Sequence, residues 1–211
     1  MEATNPPDER KRMEAVHRLK ILDTPLNKRL DRITAFAARY FHVPISTVSI
    51  VDEKREFFAS GYGVKERESP RAISFCGHTI LERDPFVIPD TQLDERFKDN
   101  PMVTGAPFVR FYAGVPLKSV DGYSIGAFCI KDRAPRTPSA DDLSVLRDLA
   151  AWAELEINAR NVAQALARQD KAEEELRSHI VELERLNKIM LGRELKMVEL
   201  KKEIERLKRK S

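Results

Sequence analysis

Leu176, Leu183, Met190, Met197 and Ile204 recur at intervals of seven residues near the end of the chain. Leu186, Leu200 and Leu207 fall three residues after members of that row, and His179 and Arg193 interrupt the second row. Seven-residue spacing places these side chains in one seam along a helix, with Glu, Lys and Arg as solvated flanks. From Ser139 onward only Ser178 and Gly192 weaken the helical pattern. At 1.5 Å per residue such a helix extends on the order of 100 Å, beyond what a compact domain accommodates. A lone helix with an exposed apolar stripe is unstable, so the pattern predicts a parallel homodimer through this helix. An earlier row, Leu143, Leu146, Ala150, Ala153 and Ile157, reads as a dimerisation seam in a different heptad phase. The phase breaks between Ala159 and Asp170, which alters supercoil winding locally.

The rest of the chain must supply the folded domain. Apolar residues make up 42% of the 211, enough for a core, whereas the 34% that are charged exceed the usual quarter and concentrate after residue 160. Basic residues (37) nearly balance acidic ones (34), so the net charge of +3 exerts no global pull on nucleic acid or anionic membrane. No apolar run is long enough to insert into a membrane, and Met1–Arg12 is too polar for a secretory signal. Two cysteines, Cys76 and Cys129, make no disulfide framework. These features predict a cytoplasmic protein without a cofactor.

Residues 1–8 read as a disordered lead-in. From Glu9, the residues Met13, Val16, Leu19 and Leu22 fall at helical spacing. Thr24 then reads as an N-cap with Pro25 at the first helical position, opening a helix that shows Leu26, Leu30, Ile33, Phe36, Ala37 and Tyr40 on one face. This second helix stops near His42-Val43-Pro44. The period then changes: β-branched Ile45–Val51 and the segment Glu56–Ser60 form a hairpin. Residues 61–72 read as loop, Phe75–Arg83 as a short helix and Phe86–Ile88 as a short strand. A single helical turn at Leu93–Phe97 precedes a loop around Asn100-Pro101. Val109–Leu117 and Ser124–Ile130 pair through the Asp121-Gly122 turn. Ser139 followed by Asp142 is a near-capping box for the long helix. Together these make an α+β fold, an antiparallel sheet flanked by helices, over residues 9–158, with a coiled-coil helix over 159–211.

Three stretches carry a family resemblance. They are Ile73-Ser74-Phe75-Cys76-Gly77-His78-Thr79-Ile80; Val87-Ile88-Pro89-Asp90-Thr91 with Asp94–Pro101; and Val109-Arg110-Phe111-Tyr112-Ala113-Gly114-Val115-Pro116-Leu117, leading into Gly126–Asp132. In this order they resemble the GAF domain of bacterial sensor kinases and diguanylate cyclases over about Leu22 to Ile157. The tail from Leu183 looks like the connector helices of similar proteins. The resemblance implies a GAF-like antiparallel sheet, a small-molecule pocket above it, and dimerisation through flanking helices.

Alternation in the Val109–Leu117 strand turns Arg110, Tyr112, Gly114 and Pro116 to one side. If that side is the pocket, Arg110 and Tyr112 suit an anionic or aromatic ligand; the structural alternative pairs Arg110 with Asp90 or Asp99. Cys76 and His78 lack the further partners a metal site needs. Cys76, at a helix start, can act as a redox-sensitive thiol or as a small buried hydrophobe, with His78 hydrogen-bonded beside it. The resemblance implies a cysteine directly before a histidine where a bilin is bound; here Gly77 intervenes. Cys129 reads as core packing, and the GAF-like enzymes that reduce free methionine sulfoxide need a different cysteine arrangement. Asp90, Arg96 and Asn100 read as a loop-ordering network. The candidate ligand-binding set is therefore Phe75, Cys76, His78, Asp90, Phe97, Arg110, Tyr112 and Cys129, with no catalytic and no metal-ligating residue.

The functional expectation is a signal-transduction input module of the two-component type, not itself an enzyme. It would relay a small-molecule or redox signal through the dimeric helix to a histidine kinase or cyclase output. No output motif precedes Ser211, so that output is expected outside this chain. The alternative is a dimerisation scaffold whose side chains fill the pocket.

Overall fold

The computed structural model describes residues 3–25 and 27–208, the side chains at 160, 161, 164, 165, 189, 194, 195, 199, 203, 205, 207 and 208 excepted. Leu26 and the Leu207 side chain, both placed on apolar faces by the sequence, lie outside the described residues. The chain divides into two units, residues 1–161 and 162–211.

In the first unit, helices α1 (Glu9–Leu19) and α2 (Lys28–Tyr40) precede strands β1 (Ile45–Val51), β2 (Arg55–Tyr62) and β3 (Glu68–Pro70). Helix α3 (Phe75–Thr79), β4 (Phe86–Ile88), α4 (Pro101–Thr104), β5 (Phe111–Lys118) and β6 (Ser124–Asp132) follow. Helix α5 is assigned from Ala140 to Lys208. The six strands form one antiparallel sheet in the order β3-β2-β1-β6-β5-β4. The α+β, GAF-like sheet with a long C-terminal helix is thus the observed architecture.

Local chemistry explains most boundaries and corrects some expectations. Asn27, not Thr24, caps α2: its side chain accepts from Arg29 N, while the Thr24 hydroxyl turns back to donate to Ile21 O. Cap choice follows which oxygen reaches a free helical N–H, and Asn27 is one position from the helix. Asn100 likewise caps α4 through Met102 N and turns the expected loop there into a helical turn with Pro101 at its first position. Helix α3 stops at Thr79, short of Arg83, and β3 forms inside the expected loop 61–72 by pairing with β2. The Ser139 box is present: Asp142 N donates to Ser139 Oγ at 3.1 Å, and Ser139 N to Asp142 Oδ2 at 2.9 Å. Residues 3–8 are described too, with Glu9 N donating to Pro6 O.

The two faces of the sheet differ in chemistry. Val48 and Ile50 of β1, Phe57 and Ala59 of β2, Phe111, Ala113 and Leu117 of β5, and Ile125, Phe128 and Ile130 of β6 form one apolar face. It is covered by Val16 and Leu19 of α1, Leu30 and Ala37 of α2, and Leu146, Leu149, Ala150, Ala153 and Ile157 of α5. Burial of this kind contributes about 25 cal/mol per Å² of apolar area, which makes this layer the main source of stability. Phe36 and Tyr40, expected on the buried face of α2, are instead half-exposed and stack on each other.

This layer also corrects the first seam. Leu146, Ala150, Ala153 and Ile157 are buried against the domain's own sheet and Leu143 is partly buried, so they are not a free dimerisation stripe. Periodicity reports an apolar face without saying whether a sheet or a second helix covers it. On the same stretch Trp152 and Leu155 are exposed. In the second unit Leu176, Leu183, Leu186, Met190, Met197, Leu200 and Ile204 are all exposed.

Candidate functional site

The opposite face of the sheet is where chemistry accumulates. Antiparallel register sets Thr47 beside Cys129 and Ser49 beside Ala127, and on the other side of β6 sets Tyr112 beside Lys131 and Gly114 beside Cys129. Glu56 pairs with Val51, which puts it on the same face through β2. Thr47, Ser49, Glu56, Tyr112, Cys129 and Lys131 are all buried. Helix α3 covers them, started by Ser74, whose hydroxyl accepts from Gly77 N. A charged residue of each sign in such a layer is costly unless something stabilises both.

Glu56 is fully buried, at 0% exposure. Its Oε2 accepts from the Ser74 hydroxyl; Oε1 meets no donor at close hydrogen-bond geometry among the described residues, with the Cys76 thiol and the Ser49 hydroxyl near the carboxylate. Burial opposes its ionisation, but the Lys131 charge and the polar hydrogens of Cys76, Ser74 and Ser49 hold its carboxyl below the usual range. Lys131, only 4% exposed, places Nζ 5.9 Å from the centroid of the Phe58 ring. Burial alone would discharge Lys131; the surrounding negative groups, Cys129 and Glu56 foremost, raise its pKa instead.

The two cysteines meet in this layer. Cys76 Sγ, on α3, lies 3.8 Å from Cys129 Sγ, on β6, and is placed to donate to it. Cys129 also contacts the Thr47 hydroxyl at 3.1 Å, and Thr47 is 3.0 Å from the Ser49 hydroxyl. The Tyr112 hydroxyl lies 3.4 Å from Cys76 Sγ and 2.5 Å from the Thr79 hydroxyl. Burial pushes the Cys76 thiol well up, reinforced by Cys129 and Glu56. At Cys129 burial acts in the same direction, yet the Cys76 hydrogen bond, the Lys131 charge and Thr47 outweigh it and bring the thiol down to about 7.

Aromatic rings close the layer above. Phe75 stacks on Phe97 with centroids 4.6 Å apart and on Tyr112 at 5.1 Å. The His78 ring meets Phe97 edge-on at 4.7 Å, and Arg96 sits over Phe86 and Phe97 at 5.0 and 5.5 Å. Tyr112 lies back across its own strand because residue 114 is glycine: a Cβ there would stand 2.3 Å from the Tyr112 hydroxyl. Side chains therefore occupy the space over β5 and β6 where the sequence placed a pocket.

Of the expected ligand-binding residues, Phe75, Cys76, His78, Phe97, Tyr112 and Cys129 come together here. Arg110 and Asp90 lie outside the layer and pair with each other, Nε to Oδ1 at 2.9 Å and Nη2 to Oδ2 at 2.7 Å. This is the structural alternative stated for Arg110, and each partner shifts the other's pKa toward the charged form. Of the expected Asp90, Arg96 and Asn100 network, Asp90 accepts from Gln92 N in its own turn. Arg96 binds Asp94, two residues away, and Asn100 instead donates to Ile73 O while capping α4. Glu56, Lys131, Ser49 and Thr47 were not singled out from the sequence. Alternation in Ile45–Val51 already turned Thr47 and Ser49 to one face, and that was the available signal.

An antiparallel sheet with an apolar face under three helices and a polar face under a short helix and loops is the arrangement of a small α+β domain. The chain belongs to the GAF domain family, whose model matches residues 25–157. A cyclic di-GMP phosphodiesterase of Pseudomonas aeruginosa is 40% identical over 146 residues, 69% of this chain. That stretch is 25% of the relative, so the chain spans about a quarter of its length. Among solved structures, the free methionine-R-sulfoxide reductase of Neisseria meningitidis aligns with a TM-score of 0.55 at 17% identity, covering 77% of this chain and 98% of that one. The GAF domain of an Acinetobacter phosphoenolpyruvate-protein phosphotransferase aligns with a TM-score of 0.54 at 17% identity, over 72% and 95%. At such identities these two show a shared fold and nothing finer. Among the described residues no helix is long and apolar enough to cross a membrane.

Proposed function

We propose that this chain is a non-enzymatic input module of a larger signalling protein: its GAF domain holds the signal-reading site, and its C-terminal helix passes the site's state to an output. The reading rests chiefly on the buried polar layer. Glu56 and Lys131 place a buried carboxylate and a buried cation in one layer beside two thiols, and such groups are ones a ligand or a chemical change can address. Coupling requires that the signal interact differently with two arrangements of the domain. Helix α3 is the element suited to that, because it links the layer to the aromatic cover through Ser74, Phe75 and Cys76.

The output side follows from the exposed seam. Leu176, Leu183, Met190, Met197 and Ile204, paired with Leu186 and Leu200, would bury their stripe in a parallel homodimer, and the phase break between residues 159 and 170 would accommodate a change in winding. Trp152 and Leu155 replace the buried first seam as the exposed apolar residues before that break. The phosphodiesterase relative adds second-messenger breakdown to the kinase and cyclase outputs expected from the sequence. The boundaries follow the same division, with the domain at residues 9–158 and the coiled coil at 159–211, in a cytoplasmic protein.

A second reading has its own support: with Phe75, Phe97 and Tyr112 stacked over the sheet, the module can be a dimerising scaffold that senses nothing. Native mass spectrometry of the chain purified from its source cells separates the two. A dimer carrying a bound small molecule supports the input module, and a dimer without added mass that no metabolite or oxidant stabilises supports the scaffold. A monomer at micromolar concentration overturns both.

A further inference from the structure

We propose that Cys76 and Cys129 are a peroxide-reactive dithiol that closes to an intramolecular disulfide inside the domain. The chemistry stands on the geometry of the two sulfurs; only its consequence for signalling rests on the input-module reading.

They are the chain's two cysteines, they stand 53 positions apart in the sequence, and their sulfurs are 3.8 Å apart. A disulfide needs about 2.05 Å, so roughly 1.8 Å of approach closes the bond. That approach is available on one side. Cys129 is fixed in β6, between β1 and β5 in the middle of the sheet, whereas Cys76 rides on a five-residue helix that follows a short 3-10 turn at Arg71–Ile73 and lies outside the sheet. The surroundings suit a nucleophilic sulfur at Cys129: the Thr47 hydroxyl is 3.1 Å away, Cys76 is placed to donate to it, and Lys131 supplies positive charge. Cys76 keeps its proton, which suits a resolving thiol.

In the first step Cys129 thiolate attacks one oxygen of hydrogen peroxide. The O–O bond breaks, hydroxide leaves and takes up the proton Cys129 had released, and Cys129 becomes a sulfenic acid with one water formed. In the second step Cys76 sulfur attacks the sulfenic sulfur. The S–O bond breaks, the departing hydroxide takes the Cys76 proton, and a second water forms with the S–S bond. The two thiols lose two electrons and two protons in total, and the peroxide receives them. Both sulfurs are buried, so peroxide enters when α3 opens locally, and the reaction runs at that opening rate. Closure draws α3 toward β6 and disturbs the Ser74–Glu56 and Thr79–Tyr112 contacts, the ones that tie the polar layer to its cover.

The test treats the fully reduced chain with hydrogen peroxide, then blocks remaining thiols with N-ethylmaleimide in denaturant and measures intact mass. Both thiols are expected to become unreactive together, with a mass about 2 Da below the unblocked reduced chain and a peptide joining positions 76 and 129. Cys76→Ala is expected to trap Cys129 as a sulfenic acid captured by dimedone, and Cys129→Ala to leave Cys76 a free thiol. The wild-type measurement decides even if a variant misfolds. Thiols that stay reactive while a free cysteine control is consumed, independent conversion to sulfinic acid, or cross-linking only between chains each overturn the dithiol. A disulfide that forms and leaves the C-terminal helix unchanged would keep the chemistry and remove its signalling role, so the two failures are distinguishable.

Discussion

Replacing Lys131 with Met removes the positive charge from the buried layer and keeps the side-chain length. Glu56 then stays fully buried, with the Ser74 hydroxyl and the nearby Cys76 and Ser49 as its remaining polar neighbours. The two charged ends are not in direct contact. At an effective dielectric constant of about 20, charges outside direct contact attract by less than the about 4 kcal/mol of a pair 4 Å apart, on the order of 2 kcal/mol. Lys131→Met is therefore expected to lose about 2 kcal/mol of stability at pH 7.5, a fall in Tm of about 4–8 °C for a chain this size. The sign of the pH dependence gives the sharper test. In the wild type Glu56 has a lowered pKa, so its contribution is present above the unfolded value and is lost as pH falls through the folded one. In Lys131→Met burial acts unopposed by that cation, and the folded pKa moves up. The variant is then expected to recover stability as pH falls from 7.5 toward 5, while the wild type does not. Glu56→Gln in the same chain should restore most of the loss and remove the pH-dependent difference. Urea denaturation followed by circular dichroism at several pH values measures all three proteins. A Lys131→Met loss under about 0.5 kcal/mol at pH 7.5, or a gap to wild type that does not narrow on acidification, would refute the coupling.

Three further outcomes follow from other contacts. Glu9 accepts from Arg12 Nε at 2.6 Å and from Arg71 Nη1 at 2.6 Å, and despite partial burial the two guanidinium groups lower its pKa to about 2. Glu9→Gln should cost about 3 kcal/mol at neutral pH by leaving two buried cations short of a counter-charge, and the gap to wild type should shrink as pH falls from about 4.5 toward 2 in acid titrations of unfolding. Gly114→Ala places a Cβ 2.3 Å from the Tyr112 hydroxyl, so it should cost about 1–3 kcal/mol and change the Tyr112 environment in near-ultraviolet circular dichroism; an unchanged spectrum would count against the ring's position. Leu183→Asp with Leu186→Asp should convert the proposed dimer to monomer in sedimentation velocity and leave the melting of the GAF domain intact, because both side chains are exposed within one chain.

How much of this was legible beforehand depended on whether the relevant force is local. Strand β1 was placed residue for residue because its β-branched run is bounded by Pro44 and a charged turn, and the Ser139 box was found because cap and partner are three residues apart. Asn27 and Thr24 illustrate the limit: both are good caps, and only the backbone's path decides which oxygen meets a free N–H. The seam of α5 shows a second limit, since Leu146, Ala150, Ala153 and Ile157 carry the spacing of a coiled coil while packing on a sheet. For the site, Tyr112, Cys76 and Cys129 were each visible, but the 3.8 Å approach of the two sulfurs joins elements far apart in sequence. Glu56 and Lys131 carry no signal in the sequence, because charged residues near strand ends are normally solvated. Their burial depends on the cover supplied by α3 and the loops.

The central claim is that the buried layer and the C-terminal helix are coupled. Hydrogen–deuterium exchange of the intact chain, comparing wild type with Glu56→Gln, tests it most directly, because the substitution removes one buried charge and touches nothing on the helix surface. The account predicts changed protection in α3 and also along residues 162–208. Changes confined to residues 45–132, with the helix exchanging identically in both proteins, would contradict it.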